Sequence, residues 1–252
     1  MTDQRTTALV QARMGSSRLP GKVLEPLAGR PAIVQIVDRV RAAANIDEVA
    51  VVTSHEARDD VLAAVCEQAG ITCLRGHETD VLDRYHQAAV SLGADRLVRV
   101  TADCPLIDPE VVDGLLELAR ERPDAAYVAV ATGAVPRAAG YRRYPDGLDA
   151  ETFTATTLAT AWEEAAAPFE REHVTPFLWQ RPDRFPSAVL EADTDLGSER
   201  WTVDYPADLE FVRTVYDRLH ERGPLFGYRD VLAVLDADPG LRALNSTHRA
   251  TD

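Results

Sequence analysis

QARMGSSRLPGKVL, residues 11–24, is a glycine- and serine-bearing loop with a strand before it and a helix behind it. The strand is the apolar run TALVQ, residues 7–11. The helix spans 31–43, where Ile33, Ile36, Val37 and Val40 recur at helical spacing and Pro31 suits a first turn. A loop in that position, at the carboxyl end of a first strand, is where open α/β sheets bind their ligands. The same alternation continues downstream. Strands are expected over 48–53, 71–74, 96–100 and 125–130. Helices are expected over 57–68, from a cap at Thr79 or Asp80 to Leu92 with a stop at Gly93, and over 109–120. Short strands alternating with helices of this length specify right-handed βαβ units and a mainly parallel sheet.

After Val130 the rhythm breaks. ATGAVPRAAGYRRYPDG, residues 131–147, is rich in Gly, Pro and Arg and reads as a loop. It opens an excursion over 131–190. Strands are expected over 148–153, 188–191 and 201–203, and helices over 156–166, 170–179, 206–219 and 228–235. With no repeat, linker or low-complexity tract, residues 1–252 read as one domain carrying that excursion.

The loop chemistry is directed at phosphate. Arg13, Arg18 and Lys22 supply positive charge, and Gly15, Ser16 and Gly21 let backbone amides approach an anion closely. These cations stand out on a chain whose net charge is −14. The spacing matches neither G-x-x-x-x-G-K-[ST] nor G-x-G-x-x-G, which disfavours P-loop hydrolysis and dinucleotide redox chemistry. Lys22 is expected to be exposed, and so replaceable without unfolding the chain.

A loop that gathers several phosphates calls for a divalent cation to offset their charge, and Mg2+ takes hard oxygen ligands. Asp103 follows the 96–100 strand, and Asp204 follows WTV at 201–203. If both strands lie in the sheet, both carboxylates reach the edge that carries the loop. The milder readings are a turn residue for Asp103 and a helix cap for Asp204. RRYPDGLDAE, residues 142–151, adds Asp146, Asp149 and Glu151, and EREHVTPF adds His173.

The bulk numbers exclude other classes. A net charge of −14 argues against binding nucleic acid through a basic surface. No apolar run approaches a membrane span, and the polar N-terminus shows no signal peptide, so a cytoplasmic protein is expected. Cys66, Cys73 and Cys104 form neither a disulfide framework nor a zinc pattern. G-x-S-x-G and H-E-x-x-H are absent, which removes two hydrolase classes.

Residues 12–22, ARMGSSRLPGK, resemble the signature loop of the CMP-KDO synthetase and acylneuraminate cytidylyltransferase superfamily. The longer stretch is similar to the branch typified by spore coat polysaccharide biosynthesis protein F. RGHETDVLDRY, RVTADCPLIDP, YPDGLDAE, EREHVTPFL and RWTVDYPADLEFV follow in the family's order. The resemblance implies a three-layer Rossmann-like nucleotide-diphospho-sugar transferase fold. It also implies a Mg2+-dependent transfer of CMP from CTP to a small anionic acceptor, in a cytoplasmic homodimer. Ala12, Arg13, Gly15, Ser16, Arg18, Lys22, Arg75, Gly76 and Asp103 would bind nucleotide. Arg13, Lys22 and Asp103 would serve catalysis, Asp103 and Asp204 would hold the metal, and Asp146, Asp149, Glu151 and His173 would meet the acceptor. Two competitors remain: a glycosyltransferase of the same fold, which would need a D-x-D motif that ADCP does not supply, and a non-catalytic nucleotide binder.

Overall fold

The computed structural model describes residues 4–132, 140–223 and 225–244. Residues 133–139, within the expected excursion, lie outside the described residues.

The chain opens with β1 (Thr6–Gln11), which leads through the signature loop to a small hairpin, β2 (Pro26–Leu27) and β3 (Arg30–Pro31), and then to α1 (Ala32–Arg41). Next come β4 (Glu48–Ser54), α2 (Asp60–Gln68), β5 (Thr72–Gly76), α3 (Val81–Leu92), β6 (Arg96–Thr101), α4 (Pro109–Glu121) and β7 (Tyr127–Val130). Beyond the excursion lie β8 (Ala150–Thr154), α5 (Ala155–Glu164), α6 (Pro168–His173), α7 (Pro176–Trp179) and β9 (Ser187–Leu190). The chain continues with α8 (Pro206–Leu219), α9 (Tyr228–Ala237) and α10 (Pro239–Ala243).

Among the described residues the main sheet has the order β5-β4-β1-β6-β8-β7-β9. Strands β5, β4, β1 and β6 are mutually parallel, and β8 runs antiparallel between β6 and β7. Period-two alternation divides the core between the faces. Ala8 and Val10 point to a cluster with Ile33, Val37, Val112, Leu115, Val212 and Val215. Leu9 points to the other, with Leu82, Tyr85, Leu158 and Phe177. The result is the three-layer, mainly parallel fold expected from the alternation. Among the described residues no helix is long and apolar enough to cross a membrane.

Local signals explain the helix boundaries. Asp80 caps α3 by accepting from the Asp83 amide at 2.9 Å, and Gly93 ends it at φ 60. Asp108 caps α4 ahead of Pro109.

Two expectations fail. The helix expected over 170–179 is broken, because Pro176 cannot donate an amide within a helix and Val174 turns the chain at φ 70. There Thr175 donates back to the His173 carbonyl at 2.8 Å, which closes a strained γ-turn. Residues 201–203 form no sheet strand. That segment is extended but pairs with loops: Trp201 donates to the Asp146 carbonyl at 2.6 Å and Val203 to the Asp103 carbonyl at 2.8 Å. Gly147 makes this crossing possible. At φ 108 a Cβ there would lie 2.8 Å from the Trp201 carbonyl carbon.

Candidate active site

Four loops meet beyond the carboxyl ends of the parallel strands: the signature loop after β1, the loop after β6, residues 144–149, and residues 200–208. The signature loop is internally folded. Gly21 and Ser16 both donate to the Met14 carbonyl, at 3.0 Å each, and the Ser16 hydroxyl accepts from Leu19 at 3.3 Å. Ala12 is buried and donates to Val52, tying the loop's start to β4 at 3.1 Å. Arg13 is exposed.

Asp59 holds this loop in place and was not among the sequence candidates. Fully buried, it accepts from the Met14 amide at 2.7 Å, the Ser54 amide at 3.2 Å and the Ser54 hydroxyl. Burial pushes its carboxyl up, but these bonds from Ser54 and Met14 outweigh burial and hold it below the usual range. In the sequence it is one of many acids on a helical stretch, and nothing local distinguishes it.

Lys22 lies at the centre of the site. Its ammonium donates to the Val203 carbonyl at 2.6 Å and to Asp204 Oδ1 at 3.0 Å, and stands 3.8 Å from Asp103 Oδ2. It is not the exposed lysine expected, since its side chain is only 12% exposed. Asp103 and Asp204, far apart in sequence, are therefore brought onto one cation. They meet through the backbone bond from Val203 to Asp103 rather than through neighbouring sheet strands. Arg18 approaches Asp204 at 3.7 Å, donates to the Tyr205 hydroxyl at 3.3 Å and lies over that ring.

Arg200, also missed, anchors the far side of this cluster. It reaches Asp204 Oδ2 at 3.2 Å and Asp208 Oδ1 at 2.5 Å, and Asp208 accepts the amides of Asp204 and Tyr205. Burial pushes the Asp204 carboxyl up, but Lys22, Arg18 and Arg200 outweigh it and hold the group below its ordinary value.

Asp146 and Asp149 border the same cluster. Asp149 accepts from the Gly147 amide at 2.8 Å and from the Thr132 hydroxyl. Burial, followed by the charge of Asp149, pushes the Asp146 carboxyl up to about 7. Burial also raises Asp149, against its bonds to Thr132 and Gly147. Cys104 is buried, and burial together with Asp103 pushes its thiol well up, which leaves it unsuited to act as a nucleophile.

Other expected site residues stand elsewhere. Glu151 is engaged inside the second helical layer. It pairs with Arg99 at 2.7 Å and accepts from Thr175 at 3.1 Å and from the Tyr127 hydroxyl. His173 is exposed at the end of α6, with its ring 4.6 Å from that of Phe169. Arg75 turns its guanidinium onto the Ser54 carbonyl at 2.8 Å and the Glu56 carbonyl at 3.0 Å. Gly76 ends β5, and its carbonyl accepts from His55 at 2.9 Å.

A profile described as cytidylyltransferase matches residues 7–216, which take in all but the first residue of the main sheet and every loop of this site. The chain belongs to the cytidylyltransferase family. It is 30% identical over 239 residues to the spore coat polysaccharide biosynthesis protein SpsF of Bacillus subtilis, covering 92% of this chain and 94% of that one. An uncharacterised protein of Methanocaldococcus jannaschii is 31% identical over 246 residues, covering 96% and 94%. The structure superposes on a cytidylyltransferase from Leptospira borgpetersenii with a TM-score of 0.87 at 27% identity, covering 98% of this chain and all of that one. The relationship to SpsF that the signature loop suggested therefore extends along nearly the whole cytidylyltransferase chain.

Proposed function

We propose that this cytidylyltransferase transfers CMP from CTP to an oxygen of a small anionic acceptor, such as a sugar acid, a sugar phosphate or a phosphonate. The observation that carries the reading is the placement of Asp103, Asp204 and Lys22 on one another at the mouth of the signature loop. That loop supplies amides and the cations Arg13, Arg18 and Lys22 for the triphosphate.

The cluster suits Mg2+. Its donors are hard carboxylate oxygens, those of Asp103 and Asp204, which Lys22 already draws together. Among the described residues no group of three or more His, Cys, Asp or Glu is arranged to hold a metal alone. Asp103 and Asp204 would hold the ion, with substrate phosphates completing its shell. Bound there, the ion would offset triphosphate charge and the charge developing on the departing pyrophosphate. The remaining work belongs to this chain's own residues. Arg13, Arg18 and Lys22 bind the β- and γ-phosphates and fix the α-phosphorus in line with the acceptor. Asp146 and Asp149 border the face from which the acceptor oxygen approaches. The new bond joins that oxygen to the α-phosphorus, the bond from the α-phosphorus to the bridging oxygen of pyrophosphate breaks, and an acceptor hydroxyl releases its proton to water, whereas a phosphate or phosphonate oxygen attacks already ionised. No enzyme nucleophile is required.

Thermal stabilisation by CTP, UTP, ATP and GTP in Mg2+ tests the reading, since the tightest ligand raises the melting temperature most. CTP should rank first. A purine triphosphate ranking clearly first would overturn the assignment.

A further inference from the structure

Arg84, on the first turn of α3, is a buried arginine that makes no bond to a carboxylate among the described residues. It is 2% exposed. Its Nε and Nη2 donate to the His77 carbonyl at 3.1 and 2.6 Å, and Nη2 also donates to the Glu78 carbonyl at 2.7 Å. Nη1 is buried with no hydrogen-bond partner among the described residues. The nearby carboxylates are occupied. Asp80 takes a forked pair of bonds from Arg171 at 2.6–3.0 Å, and Asp59 takes the Met14 and Ser54 amides. Burying a guanidinium on carbonyls alone, with both Nη1 N–H groups left over, is costly, and an apolar side chain would fill the space more cheaply. The arginine therefore serves the loop it grips.

That loop adjoins the phosphate loop on the side away from the carboxylates. A Cβ on Gly15 would meet the Arg58 guanidinium at 3.0 Å, and Arg58 pairs with Glu78. If phosphates lie on residues 15–22 and the acceptor lies toward Asp146 and Asp149, the base runs toward residues 54–58 and 76–78. Gly76 packs directly on the arginine stem, since a Cβ there would stand 2.9 Å from Arg84 Cγ. A trans peptide points its N–H opposite to its carbonyl. With the His77 carbonyl drawn inward, the Glu78 N–H faces outward.

We propose that Arg84 is a positioning residue for base selection, turning the Glu78 amide toward the pyrimidine so that it meets ring nitrogen N3. In cytosine N3 accepts a hydrogen bond; in uracil it carries a proton and repels the donor. This inference rests on the proposed use of CTP.

The test compares CTP and UTP affinity by calorimetry, in Mg2+, for the wild-type protein, Arg84→Lys, Arg84→Met and Arg84→Ala, with circular dichroism to establish folding. A lysine can hold the carbonyls less completely than the fork, so the CTP-to-UTP affinity ratio should fall about tenfold in Arg84→Met and by less in Arg84→Lys. Added guanidinium ion should restore part of the ratio in Arg84→Ala. A general loss of stability would weaken both nucleotides alike and leave the ratio unchanged. A folded variant with the wild-type ratio overturns the proposal, as does failure of all three variants to fold, which would make Arg84 a core residue only. If the wild-type protein itself does not prefer CTP, the assignment of the substrate fails and this inference fails with it.

Discussion

Lys22→Met removes an ammonium and leaves most of the stem, and the structure sets opposite signs for its effects on two ligands. The lost bonds run to the Val203 carbonyl at 2.6 Å and to Asp204 at 3.0 Å. A bond to a charged group contributes about 1.5–3 kcal/mol. Arg200 at 3.2 Å and Arg18 at 3.7 Å continue to hold Asp204, which places the cost near the lower end. The fold should persist with a melting temperature lower by about 3–6 °C. Loss of a phosphate contact of the same kind should weaken CTP at least about tenfold. Mg2+ alone should bind tighter, by about threefold or more, because the ammonium now beside Asp103 and Asp204 competes with the ion for the same oxygens. Calorimetry with CTP and with MgCl2, beside a melting curve, reads all three quantities. Unchanged CTP affinity in the folded variant would refute the phosphate role. Weaker Mg2+ binding would refute the claim that Lys22 and the ion share the carboxylates.

Three further outcomes follow from the same geometry. Asp103→Asn and Asp204→Asn should each leave circular dichroism unchanged and remove most turnover, and the double variant should be little worse than either, as measured by pyrophosphate release; near-normal rates in one single variant would separate the pair. Asp146, pushed up to about 7, contributes stability that is complete below about pH 4 and is lost as pH rises through 7. In EDTA, Asp146→Asn should therefore melt at least about 2 °C above the wild-type protein at pH 8 and show no such gain at pH 4, while an equal difference at both values would contradict this sign. Gly147→Ala should lower stability by about 1–3 kcal/mol in urea melts, because its Cβ would strike the Trp201 backbone at a positive φ; a neutral effect would mean that the crossing yields.

The regular half of the molecule was readable because local signals and burial agree there. Ala8, Val10 and Leu9 alternate between two faces that are both covered, and Asp80, Gly93 and Pro109 mark helix ends that the structure keeps. The break at Val174 was hidden because a β-branched residue rarely adopts positive φ; here the turn coincides with the bonds from Thr175 to Glu151. The apolar run around Trp201 looked like a strand, yet its partners are loop carbonyls that only the folded chain brings near. The basic loop announced itself through charge against an acidic background, and the two aspartates through their positions just after apolar runs. Asp59, Arg84 and Arg200 did not, because Asp59 and Arg84 act on backbone groups and Arg200 gathers Asp204, Asp208 and Asp146 only once the chain is folded. Glu151 and Asp149 looked equivalent in YPDGLDAE, and the fold gave them different partners, Arg99 for one and Thr132 with Gly147 for the other.

The bond from the Val203 amide to the Asp103 carbonyl has a consequence for how such enzymes diversify. Because that backbone contact, the Lys22 bridge and the crossing at Asp146 and Gly147 set the spacing of the two aspartates, the segment from α5 to β9 is free of that duty. Residues can be inserted, lost or recast along α5 to β9 while the two carboxylates keep their distance. Changes of acceptor can then accumulate in the intervening segment while the nucleotide machinery stays in register.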